Sequence, residues 1–335
     1  MVLRSKEARA AVARLKRIVD KYKEEQPEKK RDWRTYEQQH YARLKSCFTE
    51  LSSMIKKAAR SIKIVKTEKR GNEPKLNLDQ KINLLLLKQL CIKSNRNMAG
   101  MMVLFTCLTS IDISYKTVER LYSDPEVEMA LHNLHMLILK KKGINVVDAS
   151  ADGTGYSLTI KKNYSTECAK RKDKIKDDNK DKKGKRQFVY SFKIIDLATW
   201  LYVAYGTSFK SEKDACDKAK EMLEKIGIKL ASIRLDKYYS TQTSVDSFGD
   251  TKVYIIPKKN ATVKGSLKWK KTVEEYVCNT LAYLEQYYKR QNSESGFSQD
   301  KKWFGWKVEQ RREDRIDTAI SCSNILHNLF NFHKT

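Results

Sequence analysis

Apolar positions in the first third of the chain recur with helical spacing. Ala8, Ala11, Val12, Leu15, Ile18, Val19 and Tyr22 share one stripe, while Arg9, Lys16, Arg17 and Lys23 fall largely off it, which predicts a basic amphipathic helix. After Pro27 a second pattern runs from Trp33 through Tyr41, Leu44, Phe48, Leu51 and Ile55 into Lys56, Lys57 and Arg60. Two such helices in succession suggest a helical hairpin. Residues 67–74, with Gly71 and Pro74, read as the linker that follows it.

Residues 76–142 return to helical periodicity, with apolar runs at 84–87 and 98–108 and then two short helices with marked starts. Ser114 is placed to cap the first, and Asp124 followed by Pro125 forms a cap and first-position pair for the second. The stretch 97–122 permits a helix-turn-helix with Ser114, Tyr115, Lys116 and Arg120 facing DNA; two short helices packed in the ordinary way fit the same pattern. From Gly143 the texture changes to strand, because three successive stretches are rich in Val, Ile, Tyr, Phe and Thr. A helix at 213–226 ends at Gly227, and "KLASIRLD" reads as a strand. A short helical piece from Ser240, a strand stopped by Pro257 and a long helical pattern from Thr272 follow; the apolar terminal stretch reads as a helix packed back on the sheet. Three strands, helix, strand, helix, strand, helix resembles the α/β ribonuclease-H-like fold, a mixed sheet flanked by helices. The expected organisation is a basic helical DNA-binding region at 1–75, a helical region at 76–142 and a catalytic domain at 143–335.

Charge narrows the choice of partner. Lys and Arg number 68 against 41 Asp and Glu, a net charge of +27, and the first 70 residues hold 21 of those bases against 9 acids. A merely soluble basic protein would not need so uneven an excess, and a phosphate-studded partner would attract it. The charged run at 167–186 reads as a loop able to touch a DNA backbone. Seven cysteines stand singly, with no C-x-x-C pair, so neither a zinc site nor a disulfide framework is expected, and His327 and His333 show no ligand partner. The longest apolar stretch is too short for a membrane helix and the N-terminus lacks the pattern of a signal peptide, so the expectation is a cytoplasmic, DNA-associated protein.

Candidate chemistry rests on acidic residues. Hydrolysing or exchanging a phosphodiester calls for charge stabilisation on both the attacking and the leaving oxygen, and two divalent cations held by converging carboxylates supply it. Asp152 in "ADGTGYS" ends the first predicted strand, Asp236 ends "SIRLD", and Glu294 lies in the long helical region. Asp148, four residues upstream of Asp152, shares its strand face and rivals it for the first position.

Tyr287, Arg290, Glu294 and Lys301 reproduce the Y-(2)-R-(3)-E-(6)-K signature of a large insertion-sequence group of DDE transposases, and "DGTG" and "RLDKYY" resemble that group's surroundings of its two aspartates. The resemblance covers residues 143–335. It implies Asp152, Asp236 and Glu294 as catalytic metal ligands for Mg²⁺, with Mn²⁺ as a substitute, and Tyr287, Arg290 and Lys301 as DNA-gripping residues beside them. It also implies double-stranded DNA, both transposon ends and target, as the partner of a homodimer or higher oligomer. On a continuous helix the four signature residues fall within about 60° of one another; Ser293, Ser295 and Gly296 are poor helix formers and point to a bend or a late start. Outside the signature, Arg17, Lys56, Lys57, Lys116 and Arg120 are the candidate backbone contacts. Only 57 residues separate Asp236 from Glu294, which leaves no room for the large β-rich insertion of some relatives. Trp303 and Trp306 fit core packing better than stacking on a displaced base. Two other functions remain open at this point: a nuclease or resolvase of the same fold that does not join ends, and a DNA-binding protein with a silent site.

Overall fold

The computed structural model describes residues 4–24, 32–62, 74–91, 97–158, 188–310 and 312–333. Among the described residues, six helices precede the first strand: α1 (Ser5–Glu24), α2 (Trp33–Arg60), α3 (Leu78–Cys91), α4 (Met98–Thr109), α5 (Tyr115–Leu121) and α6 (Pro125–Lys141). The expected caps are present. Ser114 Oγ accepts from the Thr117 N–H, and Asp124 accepts from the Glu126 N–H with Pro125 in the first turn, so each helix start satisfies an otherwise orphaned donor.

The expected α1–α2 hairpin does not form. Val12 and Val19 of α1 instead pack with Tyr276, Tyr283, Leu284 and Tyr287 from late in the chain. The apolar side of α2, with Leu51, Met54, Ile55 and Ala58 buried, lies on α3 and α6. A tyrosine-rich surface far along the chain, at Tyr276, Tyr283 and Tyr287, offers the α1 stripe more to bury than its neighbour does. The linker predicted at 67–74 lies outside the described residues except for Pro74, and the charged run at 167–186 lies outside them entirely.

Among the described residues, five strands form the main path of a mixed sheet: β1 (Val146–Leu158), β2 (Phe188–Asp196), β3 (Tyr202–Ser208), β4 (Lys229–Arg234) and β5 (Lys252–Tyr254), in the order β3-β2-β1-β4-β5. β1, β2 and β3 pair antiparallel, whereas β4 joins β1, and β5 joins β4, in parallel. A sixth strand, β6 (Lys307–Val308), pairs with the far end of β1. Helix α7 (Glu212–Ile226) carries the chain from β3 to β4; Ser211 caps its start, and Gly227 ends it at φ 77°, a left-handed position that favours glycine. It lies so close to β3 that a Cβ on Gly206 would overlap the Ala215 carbonyl. The short helix α8 (Gln242–Asp246) precedes β5.

The long helical pattern after β5 is broken twice. α9 (Leu267–Cys278) stops at Asn279, α10 (Thr280–Tyr287) runs into a 3₁₀ turn at Tyr288–Arg290, and only then does α11 (Gln291–Phe304) begin. The terminal helix α12 (Glu313–Asn331) is buried almost all round and packs against β3 and against α2, α3 and α6. The largest apolar cluster joins residues from Ala8 to Phe332 on both sides of residues 75 and 142, while Val12 and Val19 belong to the separate cluster around Tyr276 and Tyr287. Among the described residues no helix is long and apolar enough to cross a membrane.

Candidate active site

Each acidic candidate is delivered by a different element. Asp152 sits in the middle of β1 rather than at its end, because β1 continues to Leu158. The parallel β1–β4 pairing stops at Ser150 and Arg234, so Asp152 lies just beyond the carboxyl end of β4, opposite Lys193 of β2. Asp236 follows β4 by two residues and caps the next 3₁₀ turn, accepting from the Tyr238 N–H at 3.1 Å. Glu294 stands in the first turn of α11.

Arg290 brings them together. Its Nη1 donates to Asp152 Oδ2 at 2.7 Å and its Nη2 to Glu294 Oε1 at 2.6 Å, while Asp236 Oδ1 lies 3.8 Å from Nη2. Asp148 does not join them: it accepts from Ser232 Oγ and stands 3.7 Å from Arg234. Asp152 is the most enclosed of the three, and burial pushes its carboxyl up to about 6. Arg290 and the Gly153 N–H pull the other way, while Asp236 and Glu212 add to the rise. Burial weighs against the charge of Arg290 as well, yet Tyr287 and the surrounding carboxylates hold its pKa above the usual value.

The small residues of α11 explain how Glu294 reaches this cluster. Ser293 is buried with its Oγ 2.5 Å from Ser150 Oγ of β1, and a Cβ on Gly296 would stand 3.0 Å from the Tyr202 hydroxyl. Residues that are poor helix formers serve here as close-packing positions, and the bend falls earlier, at Tyr288–Arg290. The signature is thus spread over the end of α10, the 3₁₀ turn and α11, not over one continuous helix.

Tyr287 is buried, its ring in the tyrosine cluster that receives α1 and its hydroxyl hydrogen-bonded toward Arg290. Lys301 is half-buried with its ammonium 4.6 Å above the ring of the exposed Trp306. Trp303 packs edge-on against Phe330 at 4.6 Å, as a core residue does. Arg17 on α1, Lys56 and Lys57 on α2, and Lys116 and Arg120 on α5 are exposed on surfaces outside the carboxylate cluster.

Glu212 also lies at the site, though no local motif marks it in the sequence. It begins α7, accepts from the Tyr239 hydroxyl at 2.7 Å, and lies so close over Gly153 that a Cβ there would overlap its Cδ. The glycine after Asp152 was the available signal. Lys193, Asp300 and His327 were missed as a set, since nothing local links three residues from β2, α11 and α12. His327 is hydrogen-bonded, with Nδ1 2.6 Å from Asp300 Oδ1.

The donor set is all carboxylate oxygen, the chemistry of a hard divalent cation. Among the described residues no three His, Cys, Asp or Glu side chains close around a common point. The cluster has the spacing of carboxylates bridged by a guanidinium. Its chemistry nonetheless fits a cation: burial, with a smaller push from Asp236 and Glu212, disfavours the charged form of Asp152, and added positive charge would relieve it.

A basic protein with a helix-flanked mixed sheet and acidic groups gathered at one arginine is the class that fold and site define. The sequence is 44% identical over 272 residues, 81% of this chain and 80% of the relative, to the probable transposase for insertion sequence element ISA1214 of Archaeoglobus fulgidus. The chain belongs to that family of insertion-sequence transposases. No protein-family model matches it, and neither does any solved structure.

Proposed function

We propose that this protein is a DDE transposase with a ribonuclease-H-like catalytic fold, binding the terminal inverted repeats of its element and catalysing metal-dependent strand cleavage and strand transfer. The observation that carries the proposal is the meeting of Asp152, Asp236 and Glu294 at Arg290 from three separate elements. The strand order, two antiparallel pairs followed by two parallel ones, supports the fold assignment. Kinship with a probable transposase supports DNA as the substrate.

In this reading Asp152, Asp236 and Glu294 hold Mg²⁺, for which Mn²⁺ substitutes; when bound, the cations stabilise negative charge on the phosphate and lower the pKa of the attacking water or hydroxyl. The protein's own part is positional. Arg290 keeps the carboxylates from repelling one another before DNA arrives, and its guanidinium is suited to grip a phosphate oxygen afterwards. Tyr287 steadies Arg290 from the core side. Lys301, half-buried on the same helix as Glu294, adds a further cation for the backbone, while Arg17, Lys56, Lys57, Lys116 and Arg120 supply contacts farther from the cut. Joining two ends calls for a homodimer or higher assembly on DNA.

The test is a cleavage and joining assay on labelled end DNA with Mg²⁺ or EDTA. Wild-type protein is expected to give cut and target-joined products only with metal, and Asp236→Asn and Glu294→Gln to lose at least a thousandfold in rate while binding DNA normally. Cleavage without joining would identify a nuclease, and binding without chemistry a silent DNA-binding protein.

A further inference from the structure

A second polar cluster lies behind the candidate site, and it is wholly buried. Lys193 of β2 and Asp300 of α11 are 0% and 1% exposed at their side chains, with Nζ 2.6 Å from Oδ2. The Tyr202 hydroxyl of β3 donates to the same oxygen at 2.9 Å, and Lys193 also donates to the Tyr156 hydroxyl of β1 at 3.1 Å. The other carboxylate oxygen meets His327 Nδ1 of α12 at 2.6 Å, and His327 Nε2 stands 3.1 Å from the Trp200 carbonyl. Both ring nitrogens therefore face acceptors, and a proton lies between Nδ1 and Oδ1 whichever group owns it.

A buried ion pair is an inefficient way to stabilise a fold, because desolvation consumes most of what the charges gain and a well-packed apolar substitute does as well. What it does supply is direction. The buried face of α11 is formed by Ser293, Gly296, Phe297, Asp300 and Phe304; Ser293 and Gly296 set how closely it approaches the sheet, and Asp300 is the charged residue on it. Asp300 is gripped by donors from three other elements with fixed geometry, which allows α11 one rotation and one height on the sheet. Glu294 lies less than two turns upstream on that helix and Lys301 is the next residue. Lys193 adds a further link, since it is paired across the strands with Asp152 itself.

We propose that Asp300, held by Lys193, Tyr202 and His327, is a positioning residue that fixes the register of α11 and so sets where Glu294 and Lys301 stand relative to Asp152. The role rests on the transposase reading above and goes beyond it by assigning a task to residues outside the acidic trio.

The experiment compares wild type with the double variant Lys193→Met and Asp300→Leu, which removes both charges and keeps the branching of each side chain. Thermal unfolding, DNA affinity, kcat for end cleavage and the Mg²⁺ concentration for half-maximal rate are read on each. A folded double variant is expected to bind end DNA within twofold of wild type, while kcat falls at least tenfold and half-saturation by Mg²⁺ shifts at least threefold upward. A folded double variant with wild-type kcat and metal response would overturn the positioning role and leave the transposase reading intact. A wild type that never cleaves would strike the transposase reading, and the positioning role would fall with it. If the double variant does not fold, Asp300→Asn, which keeps the shape and one oxygen, decides on the same four readouts.

Discussion

Asp152 carries the sharpest consequence at the scale of single residues. Burial, helped by Asp236 and Glu212 and opposed by Arg290, pushes its carboxyl up to about 6. Between the unfolded value near 4 and that folded value, the native protein holds a proton that the unfolded chain has released. Its stabilising contribution is therefore complete below about pH 4 and is lost as pH rises through 6. Asp152→Asn is expected to raise the unfolding free energy of the metal-free protein by about 1–3 kcal/mol at pH 7, and by almost nothing at pH 4. Urea unfolding at the two pH values measures this, and an equal effect at both would contradict it. Saturating Mg²⁺ should in turn raise the Tm of wild type and leave Asp152→Asn unmoved, with EDTA reversing the gain.

At the scale of elements, the close approach of α7 to β3 makes Gly206 a sensitive point. Gly206→Ala would press a Cβ into the Ala215 carbonyl and is expected to cost about 3 kcal/mol by chemical denaturation; an unchanged midpoint would mean that α7 stands farther off. Most elements were legible in the sequence because their signals are local: the α1 stripe, the caps at Ser114 and Asp124, the β-rich stretches and the glycine stop after α7. The failures share a physical cause. Whether α1 pairs with α2 or with a tyrosine surface near Tyr276 is decided by long-range burial, which periodicity does not encode. The break at Tyr288–Arg290 and the passage of α11 through Ser293 and Gly296 are likewise set by contacts with Ser150 and Tyr202. Asp152, Asp236 and Glu294 stand out in the sequence because they sit in local motifs; Glu212 and the Lys193–Asp300–His327 set do not, since each meets its partners only on other elements.

For the whole molecule, the excess of 27 positive charges predicts DNA binding that weakens steeply with salt. The log–log slope should be about −0.9 per phosphate contacted, and Lys56→Ala with Lys57→Ala should flatten it by roughly one to two units if both reach the backbone. An unaltered slope would remove that face of α2 from the interface. Because the largest apolar cluster joins α2, α3 and α6 to the sheet and α12, these helices and the sheet are expected to unfold together, in one cooperative transition in place of separate steps near 75 and 142. The most direct test of the whole account is a Mn²⁺ titration of the protein on end DNA, followed by electron paramagnetic resonance. Wild type should take up protein-bound Mn²⁺, and the combined variant Asp152→Asn, Asp236→Asn, Glu294→Gln should lose it while still binding the DNA. Undiminished Mn²⁺ uptake by that variant would contradict the assignment of these three carboxylates as the metal site.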